Sequence, residues 1–227
     1  MNLQETMNAL EAMGTEQNCK VYKRHGAGDN LFGVSFANLN KLKKQIKTDH
    51  ALAVELWKTG NTDARCLAIF IADPARMSEK TLEAWLGDIG YSLLADLFAG
   101  NIASRHPSAA RHMKAWMRSR SDFTGQVGWD LLAIRALRDS EITEGDLEDY
   151  LEAIERDIHQ SANRTRYAMN NALIAIGMRS DRLRQKALAA ARRIGKVEVD
   201  HGETNCKTPD AASYILKAAA RKKASRN

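Results

Sequence analysis

An all-α fold, one domain laid out as an array of antiparallel helical pairs, is what the sequence predicts, and three observations carry that prediction. The 227-residue chain holds only three prolines and 14 glycines, among abundant Ala, Leu, Met, Lys, Arg and Glu, so breakers are few and helix formers many. Residues that favour helix starts recur at short intervals, each followed by apolar residues at helical spacing. Taken in pairs, the resulting segments repeat at roughly 30 to 45 residues.

Ser35 precedes a stretch carrying Leu39, Leu42 and Ile46. Asp49 precedes Leu52, Leu56 and Trp57, and Asn61 precedes Cys66, Leu67, Ile69 and Phe70. Ser78 opens a helix through Trp85 and Ile89, Tyr91 or Ser92 opens the next, and Pro107 suits the first turn of a helix with Met113, Trp116 and Met117. Segments Asp122 to Leu137, Thr143 to Ile158, Arg164 to Met178, Asp181 to Ile194 and Pro209 to about Lys222 complete about a dozen helices of ordinary length. Pairs of that length and period are those of HEAT-like or armadillo arrays, which stack into a curved right-handed α-solenoid with a concave binding surface. The whole chain, 1–227, is expected to form one such domain, with the basic end from about 215 to 227 a candidate for disorder.

No apolar run approaches the ~20 residues needed to cross a bilayer, and the start, MNLQETMNALEAMG, lacks the features of a signal peptide. A soluble, cytoplasmic protein without a membrane partner is expected. Cys19, Cys66 and Cys206 are odd in number and far apart, which fits reduced thiols better than a disulfide framework. The net charge of +6 is unevenly placed: residues 160–227 hold 15 Lys and Arg against 5 Asp and Glu, leaving 19 against 23 for the rest. Arg179, Arg182, Arg184, Lys186, Arg192, Arg193 and Lys196 form either an electrostatic footprint for nucleic acid or a solvated helix face.

The segment FGVSFANLNKLKKQIKTDHALAVELWKTGNTDARCLAIFIADP, residues 32–74, resembles the N-terminal part of AlkD-type DNA alkylation repair proteins. The GV before a Lys-rich amphipathic helix, the ELW and the DAR entry to the next helix agree in order and spacing, and a weaker likeness runs through SLLADLFAGNI, residues 92–102, to about Gly177. The resemblance implies a HEAT-like fold and a basic concave groove for duplex DNA. It also implies, for active members, a carboxylate, aromatic faces and an Arg that stabilise positive charge on the sugar as a cationic base leaves. Asp96 falls at the carboxylate's position. The aromatic expected four residues earlier is Ser92, with Tyr91 next to it; the later aromatic is Asn171; and no Arg stands near Gln126 to Gly128. Tyr91 or Trp129, or Tyr167, could supply an aromatic face instead.

Each remaining candidate has a structural alternative. Trp129 and Asp130, beside a flexible TGQVG, could line a groove or anchor a helix pair. In RTRYAMNNALIAIGMR, residues 164–179, Arg164, Arg166, Asn170 and Asn171 could contact DNA or form an interhelical hydrogen-bond network. Lys20, Lys23, Arg24 and His25 precede a Gly-rich turn that could touch phosphate but lacks the phosphate-loop pattern. In VEVDHGETNCKTPDAASY, residues 197–214, Thr208, Pro209 and Asp210 read as a helix start. His201 and Cys206 before them are weak metal candidates, four ligand types within seven residues being awkward for a closed tetrahedral site.

The expected function is DNA binding related to alkylation damage. Two versions stand. In the first, the protein excises alkylated bases, with Asp96 stabilising the sugar, Tyr91 or Trp129 offering an aromatic face, and Arg164, Arg166, Asn171, Arg179, Arg182, Arg192, Arg193 and Lys196 holding DNA. In the second, a non-catalytic module recognises DNA structure or a protein. The expected partner is duplex DNA, damaged or branched; the chain is expected to act as a monomer, with no cofactor and no metal.

Overall fold

Side-chain caps define most helix starts. In the computed structural model, which describes residues 1–224 and side chains through Arg221, the described residues form thirteen α-helices and three short 3-10 turns. Asn2 caps α1 (Leu3–Met13) in a reciprocal box with Glu5, and Thr15 caps α2 (Glu16–Arg24). Ser35, Asp49 and Asn61 each accept the third backbone N–H of α3 (Phe36–Ile46), α4 (His50–Lys58) and α5 (Thr62–Ile71). Ser78 does the same for α6 (Glu79–Gly87), and Tyr91 leads into α7 (Ser92–Asn101). These are the expected starts. Helices α1 and α2 were not expected, because their apolar stripes are thin: α1 buries only Thr6 and Leu10, and α2 buries no residue fully.

Helix α8 (Ala109–Trp116) begins two residues after Pro107. It is followed by α9 (Asp122–Arg138), α10 (Glu144–Asp157, boxed by Thr143 and Asp146), α11 (Asn163–Gly177) and α12 (Asp181–Ile194, capped by Ser180). The last helix, α13 (Ala211–Ala224), starts later than Thr208 to Asp210 implied: Asp210 itself is the cap, its Oδ1 accepting the Ser213 N–H at 2.8 Å. Residues 215–224, the described part of the supposed disordered end, continue this Ala-rich helix, anchored by the fully buried Ile215; residues 225–227 lie outside the described residues.

The chain divides into two compact units. Unit 1 is Met1–Ala109 with His201–Asn205; unit 2 is Ala110–Asp200 with the residues from Cys206 onward. Within unit 1, Asp63 at the start of α5 is buried and its carboxylate accepts the backbone N–H groups of Phe32 (2.7 Å), Gly33 (3.0 Å) and Val34 (2.9 Å). Trp57 of α4 stacks on Trp85 of α6 with centroids 4.1 Å apart and donates its indole N–H to Asp88 at 2.9 Å. Arg65 lies over the Trp57 ring, 5.0 Å from its centroid, and bonds the Trp57 and Asp88 carbonyls. His106, also buried, accepts the Ser108 N–H at Nδ1, so its Nε2–H donates to the Met77 carbonyl at 3.0 Å. The ELW and DAR segments are thus parts of the unit's frame.

Unit 2 holds α9, α11 and α13 in one layer and α10 and α12 in another. Three ion pairs join α10 to α12 at a constant separation of 38 residues: Glu144–Arg182, Glu148–Lys186 and Glu155–Arg193. A constant offset means the two helices run parallel, as equivalent helices of successive repeats do. Helices α9 and α11 pack most extensively, and within TGQVG it is Gly125 that faces α11 while Gly128 faces the end of α8. The segment is a buried helical turn of α9, where a Cβ on Gly128 would lie 2.4 Å from the Met117 backbone nitrogen and one on Gly125 would lie 2.3 Å from Thr165 Oγ1. The two glycines serve close approach; TGQVG is not a flexible loop.

Candidate nucleic-acid interface

Of the three aromatic residues nominated to face a departing base, Tyr91 and Trp129 are packed inside their units, and Tyr167 is half-buried. Tyr91, 7% exposed, sits at the head of α7. Burial foremost, then the neighbouring Cys66, Tyr22 and Asp96, pushes its phenol above its ordinary value, so it stays protonated. Trp129 is 5% exposed within α9. Asp96 is on the solvent side of α7, one turn from Ser92. Asp96 and Tyr91 belong to unit 1 and Trp129 to unit 2.

Most of the nominated basic residues in unit 2 already have protein partners. Arg179 caps the end of α9 through the carbonyls of Ala136 (3.2 Å) and Asp139 (2.9 Å). Arg166 bonds the carbonyls of Glu198, His159 and Ser161, fixing the segment that leaves α12. Arg193 makes a two-pronged pair with Glu155, Arg182 bonds Glu148, and Lys196 bonds Glu198. The hydrogen bond from Lys186, followed by the charge of Arg182, holds Glu148 below the usual carboxylate range. Arg192 is exposed and Arg164 half-buried, neither with a side-chain partner among the described residues. In unit 1, Lys20 pairs with Glu16 and Lys23 with Asp29.

The paired asparagines part company. Asn170 is fully buried; its amide donates to the Pro209 carbonyl at 3.0 Å while its Oδ1 has no hydrogen-bond partner. Asn171 is half-exposed and lines a groove between α9, α11 and the start of α13. That groove has a volume near 460 Å³, with Tyr167, Tyr214, Arg138 and Leu137 around it. It adjoins a second hollow of about 780 Å³ through the shared Leu137 and Met178, and the second is lined by Arg179, Arg184 and Arg221. Leu137 and Tyr214, 48% and 50% exposed, are among the few large apolar side chains left open to solvent. Tyr214, Leu137 and Arg221 were not nominated by sequence; the signal was the stripe Tyr214, Ala218, Arg221 at helical spacing.

The polar loop after α12 is held by local hydrogen bonds. Asn163 and Asp200 exchange two 2.8 Å bonds in unit 2. In unit 1, Thr204 Oγ1 bonds the His201 carbonyl at 3.0 Å, and Gly202, at φ 65°, lies against the Arg24 carbonyl. His201 is half-buried and Cys206 exposed, and the described residues hold no group of three or more His, Cys, Asp or Glu able to bind a metal ion. No described helix is long and apolar enough to cross a membrane.

Residues 6–219 match the profile of a family described as "DNA alkylation repair enzyme". The chain belongs to the DNA alkylation repair family. Two bacterial relatives share 32% identity with it: Lin0241 of Listeria innocua, over 92% of this chain and 93% of that protein, and Lmo0209 of Listeria monocytogenes, over 94% and 96%. A solved structure described as "a new family of proteins related to the HEAT-like repeat DNA glycosylases with affinity for branched DNA structures" superposes with a TM-score of 0.89 at 32% identity, covering 98% of this chain and 95% of that one. The fold is therefore the expected all-α HEAT-like repeat. Within the family, this member carries Ser92 and Asn171 where the resemblance led one to expect aromatic side chains.

Proposed function

We propose that this protein binds branched DNA and does not excise bases. The observation that carries the proposal is the burial of Tyr91 and Trp129. A cationic base and its sugar are stabilised by an aromatic face only when the ring is open to them; Ser92 and Asn171 offer no ring in their place, and the half-buried Tyr167 lines a groove of unit 2 whose lining does not include Asp96. Branched DNA as the partner draws support from the printed description of the similar structure. Exposed basic side chains such as Arg192 would meet phosphates, which makes binding fall steeply with salt.

Excision has one observation in its favour, the exposed position of Asp96 on α7. Incubating the pure protein with methylated duplex DNA and measuring released 7-methylguanine and 3-methyladenine separates the two. The expected result is no release alongside salt-sensitive binding to a four-way junction. Release that is lost in Asp96→Asn would overturn the proposal.

A further inference from the structure

We propose that the groove along α9, α11 and α13 in unit 2 binds an unpaired DNA strand. The inference rests on the branched-DNA reading, because flaps, forks and other branched structures carry single-stranded arms, and it names where such an arm would sit.

The two adjoining hollows present different chemistry at their two ends. At one end Tyr214 is half open to solvent beside Tyr167, and the half-exposed Asn171 amide has no protein partner among the described residues. At the other, Arg179, Arg184 and Arg221 line the larger hollow. Arg179 is held by the two carbonyls it caps, Arg184 pairs with Asp181 through a terminal nitrogen while its buried Nε has no hydrogen-bond partner, and Arg221 is exposed. Leu137 and Met178 form the apolar floor common to both.

Single strands are bound by this combination: aromatic faces on which bases stack, and guanidinium groups that follow the phosphates. An amide next to the aromatic end can meet a base edge with both a donor and an acceptor. A paired duplex keeps its base faces stacked inside, so the tyrosine end has use only for unstacked bases. The charge at the arginine end argues for an anionic strand over an apolar peptide.

The test is fluorescence anisotropy at low salt with the full chain and three probes: a short oligo-dT, a fully paired four-way junction, and the same junction with a single-stranded arm. The chain should bind oligo-dT and favour the armed junction. Tyr214→Ala and Arg221→Glu should each weaken binding to the oligo-dT and to the armed junction about tenfold, with the melting temperature and the paired-junction affinity unchanged. Arg221→Glu should also flatten the salt dependence for oligo-dT. Failure to bind oligo-dT, or normally melting variants that bind it as well as the parent, overturns the groove assignment. A parent that binds the paired junction but not oligo-dT refutes the groove alone. One that binds oligo-dT but neither junction refutes the branched-DNA reading and leaves the groove standing.

Discussion

Neighbouring repeats are tied together in both units, but by different groups at different spacings. In unit 1 the ties span 29 to 31 residues and mostly run from a side chain to buried or half-buried backbone: Asp63 to Phe32, Gly33 and Val34, and His106 to Met77. In unit 2 the α10 to α12 ties span 34 or 38 residues and are ion pairs at the surface. The first kind fixes the fold, because a buried donor without an acceptor is costly. The second kind adds little stability in water, yet it neutralises charge. Arg182, Lys186 and Arg193 of the basic C-terminal third are engaged in this way, and the open groove on the other layer becomes the more distinctive binding feature.

Unit 1 should break most sharply at Asp63. Asp63→Ala strands three backbone donors and is expected to cost about 3 to 5 kcal/mol, seen as a lower midpoint in urea unfolding. A loss below about 1 kcal/mol would mean that the carboxylate is not part of the frame. In unit 2 the sharpest break is Gly128→Ala, whose added methyl meets the Met117 backbone. A loss of about 1 to 3 kcal/mol is expected, while Gly125→Ala, meeting only the Thr165 side chain, should lose less.

Cys66 gives unit 1 a response to alkali. Burial foremost and the nearby Asp63 push its thiol from 9.0 up to about 12. A folded pKa above the unfolded one means stability is intact below pH 9 and is lost as pH rises towards 12. The loss is about 1.4 kcal/mol per pH unit across that window. Cys66→Ala should flatten the fall of melting temperature between pH 9 and 11; an unchanged slope would assign the fall to other groups. At the small end, Arg193→Ala and Arg182→Ala on the exposed face of α12 should leave the melting temperature unresolvably changed.

Much of this fold was legible because its information is local. Ser35, Asp49, Asn61, Ser78 and Thr143 announce helix starts within four residues of themselves, and the apolar stripes that follow set helix length. The box of Asn2 and Glu5 was equally local, but it heads a helix with only two buried residues, so periodicity gave no second signal. The candidate site was far less legible. Whether Arg193 faces DNA or Glu155 is decided 38 residues away, and whether Trp129 is open or buried is decided by how its helix packs in the unit. The groove itself is made by three helices from separate parts of the chain, and Tyr214 and Arg221 share it through a helical stripe without any motif.

The most direct test of the proposed function is a competition between a four-way junction and a linear duplex of the same sequence, at fixed salt, for the full chain. A structure-binding protein should prefer the junction by about tenfold or more and leave every base in place. Equal affinity for the two, or release of a base from either after methylation, would contradict the account.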